Sequence, residues 1–182
     1  MRTVVVDLET GNFRSDIGVL TIACFGELDS NGKIKSIQTR TIQDIGRGTV
    51  AQRERMLALW TVEQWQAADI VIGQNHQGFD KTFLQGVMLR HGIQDGILAK
   101  RIMIDTYQTG KGRFGMSMSM ANLVDVLGLG AKDAPHKKDW RESNAGDPAS
   151  LERIKERCIS DVKLTALMWA KLKPTYMIRF GK

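Results

Sequence analysis

The chain has 182 residues, enough for one domain that buries roughly two-thirds of its unfolded surface without staples. Hydrophobic residues make up 42% and charged residues 25%, an ordinary globular balance that leaves little room for a long disordered region. Cys24 and Cys158 are the only cysteines; neither has a Cys or His at zinc-ligand spacing, so neither a disulfide framework nor a structural zinc site is implied. The N-terminus carries no long apolar segment, so neither a signal peptide nor a membrane span is expected. A net charge of +6 favours a polyanionic partner without specifying a reaction. The expectation is a single domain over residues 1–182 in a reducing, cytoplasmic setting.

In chain order, Thr3 to Leu8 is apolar and β-branched, and Ile17 to Phe25 repeats that character. Ile34 to Ile42 alternates apolar with polar after an Asn31-Gly32 turn. Three consecutive antiparallel strands are the simplest reading. Val50 to Ala68 carries Met56, Leu57, Leu59, Trp60 and Trp65 at helical positions, predicting one or two helices before a short strand at Ile70 to Gly73. A helix starting near Phe79 presents Phe83, Leu84, Val87 and Met88 and stops at His91-Gly92; Arg101 to Ile104 reads as a fifth strand. Met118 to Leu127 is predicted helical. Gly110 to Gly115 and Lys132 to Pro148 read as exposed basic loops. Leu151 to Leu172 closes as a long helix with Leu151, Ile154, Cys158, Val162, Thr165 and Trp169 on one face. The order of strands and helices predicts an α/β fold, a mixed sheet with helices packed on it. Trp60, Trp65 and Trp169 share faces with apolar residues and are expected in the core.

The chemistry has to come from individual polar residues. Asp7 and Glu9 are two apart on a strand, so they share a face roughly 6.5 to 7 Å apart at Cα. Val4, Val6 and Leu8 take the opposite face. Carboxylates behind a run of valines on a central strand are costly unless something positive neutralises them. Asp80 falls at a helix start, where it serves equally as an N-terminal cap or as a ligand. Asp161 sits inside the last helix beside the buried Val162, where Asp is a poor helix former and needs a reason to be present; an ion pair with Arg157, one turn earlier, is the plain alternative.

The strings Val6-Asp7-Leu8-Glu9-Thr10, Gly73-Gln74-Asn75-His76-Gln77-Gly78-Phe79-Asp80 and Cys158-Ile159-Ser160-Asp161-Val162-Lys163-Leu164-Thr165 fall in that order on a strand, a helix start and a late helix. Together they resemble the three exonuclease motifs of the proofreading-type (DEDD) 3′-to-5′ exonuclease superfamily, and the likeness runs from Val4 to Leu172, including Leu123 to Leu129 between the second and third motifs. The resemblance implies a ribonuclease H-like fold, with a five-stranded mixed sheet, three antiparallel strands followed by parallel additions, flanked by helices. It further implies phosphodiester hydrolysis at the 3′ end of single-stranded DNA or RNA by a two-metal-ion mechanism, with Asp7, Glu9, Asp80 and Asp161 holding two divalent cations. All-oxygen ligation favours Mg²⁺ or Mn²⁺. Thr10, Asn75 and Phe79 resemble positions that touch the terminal nucleotide.

This chain departs from the family at one place. Active members carry a general-base Tyr four residues, or His five residues, before the last Asp; here those positions hold Arg157 and Glu156. Arginine keeps its proton, with a pKa above roughly 12, so neither type applies. Arg157 is placed to hold either Asp161 or the scissile phosphate, and Glu156, His76 and His136 are the remaining candidates for proton transfer. Lys111, Arg113, Phe114, Lys132 and Trp140 in the basic loops suit phosphate contact and base stacking as well as plain solvation. No Gly-Lys-Ser/Thr phosphate loop occurs, so ATP use is not indicated. Two other readings stand beside the exonuclease, namely a nucleic-acid-binding module with weakened chemistry and an endonuclease of the same fold. The residues do not choose DNA over RNA.

Overall fold

The fold is described from a computed structural model. It describes residues 1–94, 98, 101–111, 114–132, 137–144 and 146–180, with only the backbone of 137, 144 and 175–180. Arg113 and His136 lie outside the described residues.

Three strands open the chain, β1 (Thr3–Thr10), β2 (Leu20–Leu28) and β3 (Ile34–Thr41), followed by α1 (Val50–Gln66), β4 (Ile70–Gly73), α2 (Asp80–Arg90) and β5 (Ile102–Asp105). After β5 come α3 (Thr106–Gly110), α4 (Met120–Val126), α5 (Lys137–Asn144) and α6 (Pro148–Phe180). The sheet order is β3-β2-β1-β4-β5. β1, β2 and β3 pair antiparallel, while β4 and β5 add in parallel. This is the mixed five-stranded sheet flanked by helices expected of a ribonuclease H-like fold.

Alternation along β1 sorts its side chains between two helical layers. Val4, Val6 and Leu8 join Leu57, Trp65, Leu84 and Val87 under α1 and α2. Val5 joins Ile154, Cys158, Val162 and Trp169 under α6, so Asp7 and Glu9, in step with Val5, turn to the α6 side. A smaller cluster seats Leu123 and Val124 of α4 against Leu164 and Met168 of α6. Gly26 sets how closely α6 approaches the sheet, because a Cβ there would stand 2.7 Å from Val162 Cγ1. Glu54 of α1 is buried and joins three elements: its carboxylate accepts from the Leu20 N–H at 2.8 Å and pairs with Arg90 at 2.6 Å and His91 at 2.7 Å. Trp60, Trp65 and Trp169 are in the core as expected.

Three differences from the sequence reading have local causes. Lys132 to Pro148 is not all loop: α5 occupies Lys137–Asn144 and docks on α6, where Arg153 pairs with Asp139 at 2.7 Å. β2 begins at Leu20 rather than Ile17, which lies at the surface. α6 continues through Pro174 to Phe180; a proline removes one helical hydrogen bond without obliging the chain to stop. No helix among the described residues is long and apolar enough to cross a membrane.

Candidate metal centre

The site lies where β1 outruns its parallel neighbour. β4 pairs with β1 only over Thr3 to Val5, so on that side the last residues of β1 have no strand to bond with. The N–H of Leu8 is buried there and takes the Asp80 carboxylate as acceptor, Leu8 N to Asp80 Oδ1 2.9 Å, which satisfies an otherwise orphaned donor. Asp80 therefore does more than complement its own helix: it bonds across to β1 and faces the β1 acids.

Asp7, Glu9 and Asp161 each offer a carboxylate oxygen, and the three lie within 4.8 Å of one another. The strand period brings the first two to the α6 face, and Val162 packing against Gly26 brings Asp161 down onto them. Asp80 lies outside that trio but is close enough for its charge to act on Asp7. Burial, followed by the charges of Glu9, Asp80 and Asp161, pushes the Asp7 carboxyl well above the ordinary carboxylate range. Burial likewise raises Glu9 to about 7, opposed by the Arg157 guanidinium, and raises Asp80 to about 7, opposed by the Leu8 N–H. Convergent carboxylates in a partly desolvated site are unfavourable as anions until a cation joins them. The donor set is all oxygen, which suits a hard divalent ion, and Asp7, Glu9 and Asp161 are the residues that could hold one.

Two protein cations already enter this cluster. Lys132 Nζ lies 2.7 Å from Asp161 Oδ2. Arg157 reaches Glu9 Oε1 through Nε at 3.5 Å and Asp161 Oδ2 through Nη2 at 3.5 Å. The guanidinium stacks 4.9 Å above the Trp140 ring, and the indole Nε1–H donates to Glu9 Oε2 at 3.2 Å. Arg157 thus contacts the Asp161 carboxylate one turn away and that of Glu9 as well. The contact of Lys132 with Asp161 was not legible in the sequence, where Lys132 opened a basic loop without periodicity.

A cleft of about 470 Å³ adjoins the acids, lined by Glu9, Thr10, Asn12, Phe13, Phe79, Trp140 and Arg157 among others. Phe13 and Phe79 meet edge to face at 6.0 Å, and Phe13 is exposed. Thr10 lines the cleft, with its hydroxyl donating to the Asn12 carbonyl at 2.8 Å. Asn75 is exposed, in the left-handed region at φ 58°, a conformation that Asn tolerates better than most residues.

Asp105, absent from the sequence-based candidates, shapes the loop between β4 and α2. Its carboxylate accepts from the N–H groups of Asn75 at 2.9 Å and Gln77 at 3.1 Å, and from Tyr107 and Gln108 at the start of α3 at 2.9 and 3.3 Å. An Asp directly before a short helix was the available signal; its bonds to a loop 28 to 30 residues away were not. His76, a candidate for proton transfer, is fully buried against Trp65 and Asp105, and burial lowers it to about 4. It does not line the cleft. Glu156 faces solvent from α6.

No protein-family model matches the sequence, and no curated protein matches it. Among solved structures, the chain is similar to the family B DNA polymerase from the hyperthermophilic archaeon Pyrobaculum calidifontis, with a TM-score of 0.71 at 16% identity. The match covers 96% of this chain and 25% of the polymerase, so the chain spans about a quarter of that protein's length. The likeness establishes the α/β fold, and the acidic cluster within it could bind metal.

Proposed function

We propose that residues 1–182 form one domain that acts as a metal-dependent 3′-to-5′ exonuclease on single-stranded DNA or RNA. The observation that carries this reading is the convergence of Asp7, Glu9 and Asp161, with oxygens within 4.8 Å of one another, beside a cleft walled by Phe13, Phe79 and Trp140. The similarity to a DNA polymerase of the same fold supports it.

Asp7, Glu9 and Asp161, with Asp80 behind them, would hold Mg²⁺ or Mn²⁺, which supplies Lewis acidity for phosphodiester hydrolysis. The chain's own residues do the positioning. The terminal base enters the aromatic cleft and stacks on Phe79, Thr10 and Asn75 fix the end nucleotide, and Arg157 faces the phosphate from its seat on Trp140. Because Arg157 stands where a general base is expected and His76 and Glu156 do not face the cleft, turnover should be slow. The net charge of +6 favours binding of the strand in general.

Incubating 3′-labelled DNA and RNA strands with the protein and Mn²⁺ tests the reading. Release of labelled mononucleotides, stopped by chelator and reduced by about 100-fold or more in Asp161→Ala and Asp7→Ala, is the expected result. Short internal fragments would instead identify an endonuclease.

A second reading rests on the two protein cations at the acids. If Lys132 and Arg157 fully offset those carboxylates, the chain is a binding module that retains strands with Mg²⁺ or Mn²⁺ and releases no nucleotide.

A further inference from the structure

The acidic cluster is not only anionic. Asp161 Oδ2 meets Lys132 Nζ at 2.7 Å and Arg157 Nη2 at 3.5 Å, and both Glu9 oxygens are engaged, Oε1 by Arg157 and Oε2 by Trp140. Neither cation is a passing surface contact. The side chain of Lys132 is 17% exposed and that of Arg157 21%, and stacking on Trp140 fixes the guanidinium plane. Asp7, by contrast, has no ion pair among the described residues; its carboxyl meets only the weakly donating Cys158 thiol besides the neighbouring acids, so no protein cation there competes with an ion.

We infer that Arg157 and Lys132 are built-in counter-cations that replace one of two divalent ions, so that the site binds a single divalent cation. Fully ionised, as they are once a cation joins them, the four carboxylates with two protein cations carry a net charge of minus two, which one divalent ion neutralises. A second would bring surplus positive charge within a few ångströms of a guanidinium, a costly arrangement where water is largely excluded. The inference rests on the proposed metal centre and specifies its stoichiometry. It also assigns the departure at position 157 a purpose: the residue that supplies no base supplies charge.

The experiment is a titration of the full chain with Mn²⁺, following the free-ion resonance signal and the heat of binding, with strand absent. Wild type should take up one ion. The double variant Lys132→Met, Arg157→Met, which keeps the apolar stems and removes the charges, should take up two, whereas Arg157→Lys should stay at one. Lys132→Met alone should tighten the first ion by about ten-fold, which keeps the test available if the double variant does not fold. Two ions in wild type, or one in a folded double variant, would overturn the inference and leave the exonuclease reading standing. No uptake by wild type, matching Asp161→Ala, would overturn both.

Discussion

Asp7, Glu9, Asp80 and Asp161 were legible because the strand period, a helix start and an unfavourable mid-helix position each mark an acid that needs a reason. Arg157, one turn before Asp161, was legible as its partner; Lys132 was not, since a lysine in a loop carries no periodic signal and its partner is 29 positions away. Asp105 shows the same limit, as an ordinary strand-end residue until the loop folds over it. Replacing it by Ala leaves four backbone N–H groups without their acceptor and should cost about 1 to 3 kcal/mol, read as a lower denaturant midpoint; an unchanged midpoint would mean that water serves those groups equally well. The raised carboxyls set a pH dependence. Glu9 and Asp80 titrate at about 7 in the folded chain against ordinary values of 4.5 and 3.8. The folded state thus binds more protons between about pH 4 and about pH 7, and stability falls as pH rises across that window and is lost through about 7. Melts in chelator should show a lower midpoint at pH 8 than at pH 5.5, and saturating Mn²⁺ should narrow that gap.

At the level of elements, five strands and the main helices could be read from β-branched runs and 3.6-residue periodicity, whereas α5 could not. Its 8 residues are polar apart from Trp140, too few and too poor in apolar side chains to read as a helix, and it docks on α6 through Arg153 and Trp140. The placement of Asp161 depends on a second contact between elements, Gly26 under Val162. Gly26→Ala puts a Cβ 2.7 Å from Val162 Cγ1, an overpacking that should cost about 1 to 3 kcal/mol and lift α6 away from Asp7 and Glu9. Adding Val162→Ala should relieve the clash, so the double variant should bind Mn²⁺ more tightly than Gly26→Ala alone. Purely additive losses in a double-mutant cycle would show that the two positions do not couple.

Across the whole molecule, the two faces of one sheet divide the work. The α1 and α2 side is a continuous apolar core, while the α6 side gives up part of its packing to a polar pocket where β1 extends past β4. An ion that binds only this folded arrangement should stabilise the chain by about 3 kcal/mol at roughly 100 times its Kd. Thermal melts of wild type and Asp161→Ala with Mn²⁺ should therefore diverge, with only wild type shifting upward. The most direct measurement is anomalous diffraction from crystals grown with Mn²⁺. A peak within coordinating distance of carboxylate oxygens from Asp7, Glu9 and Asp161 is the expected result; a map with no peak there at saturating Mn²⁺, or with Asp161 turned away from β1, would contradict the metal centre.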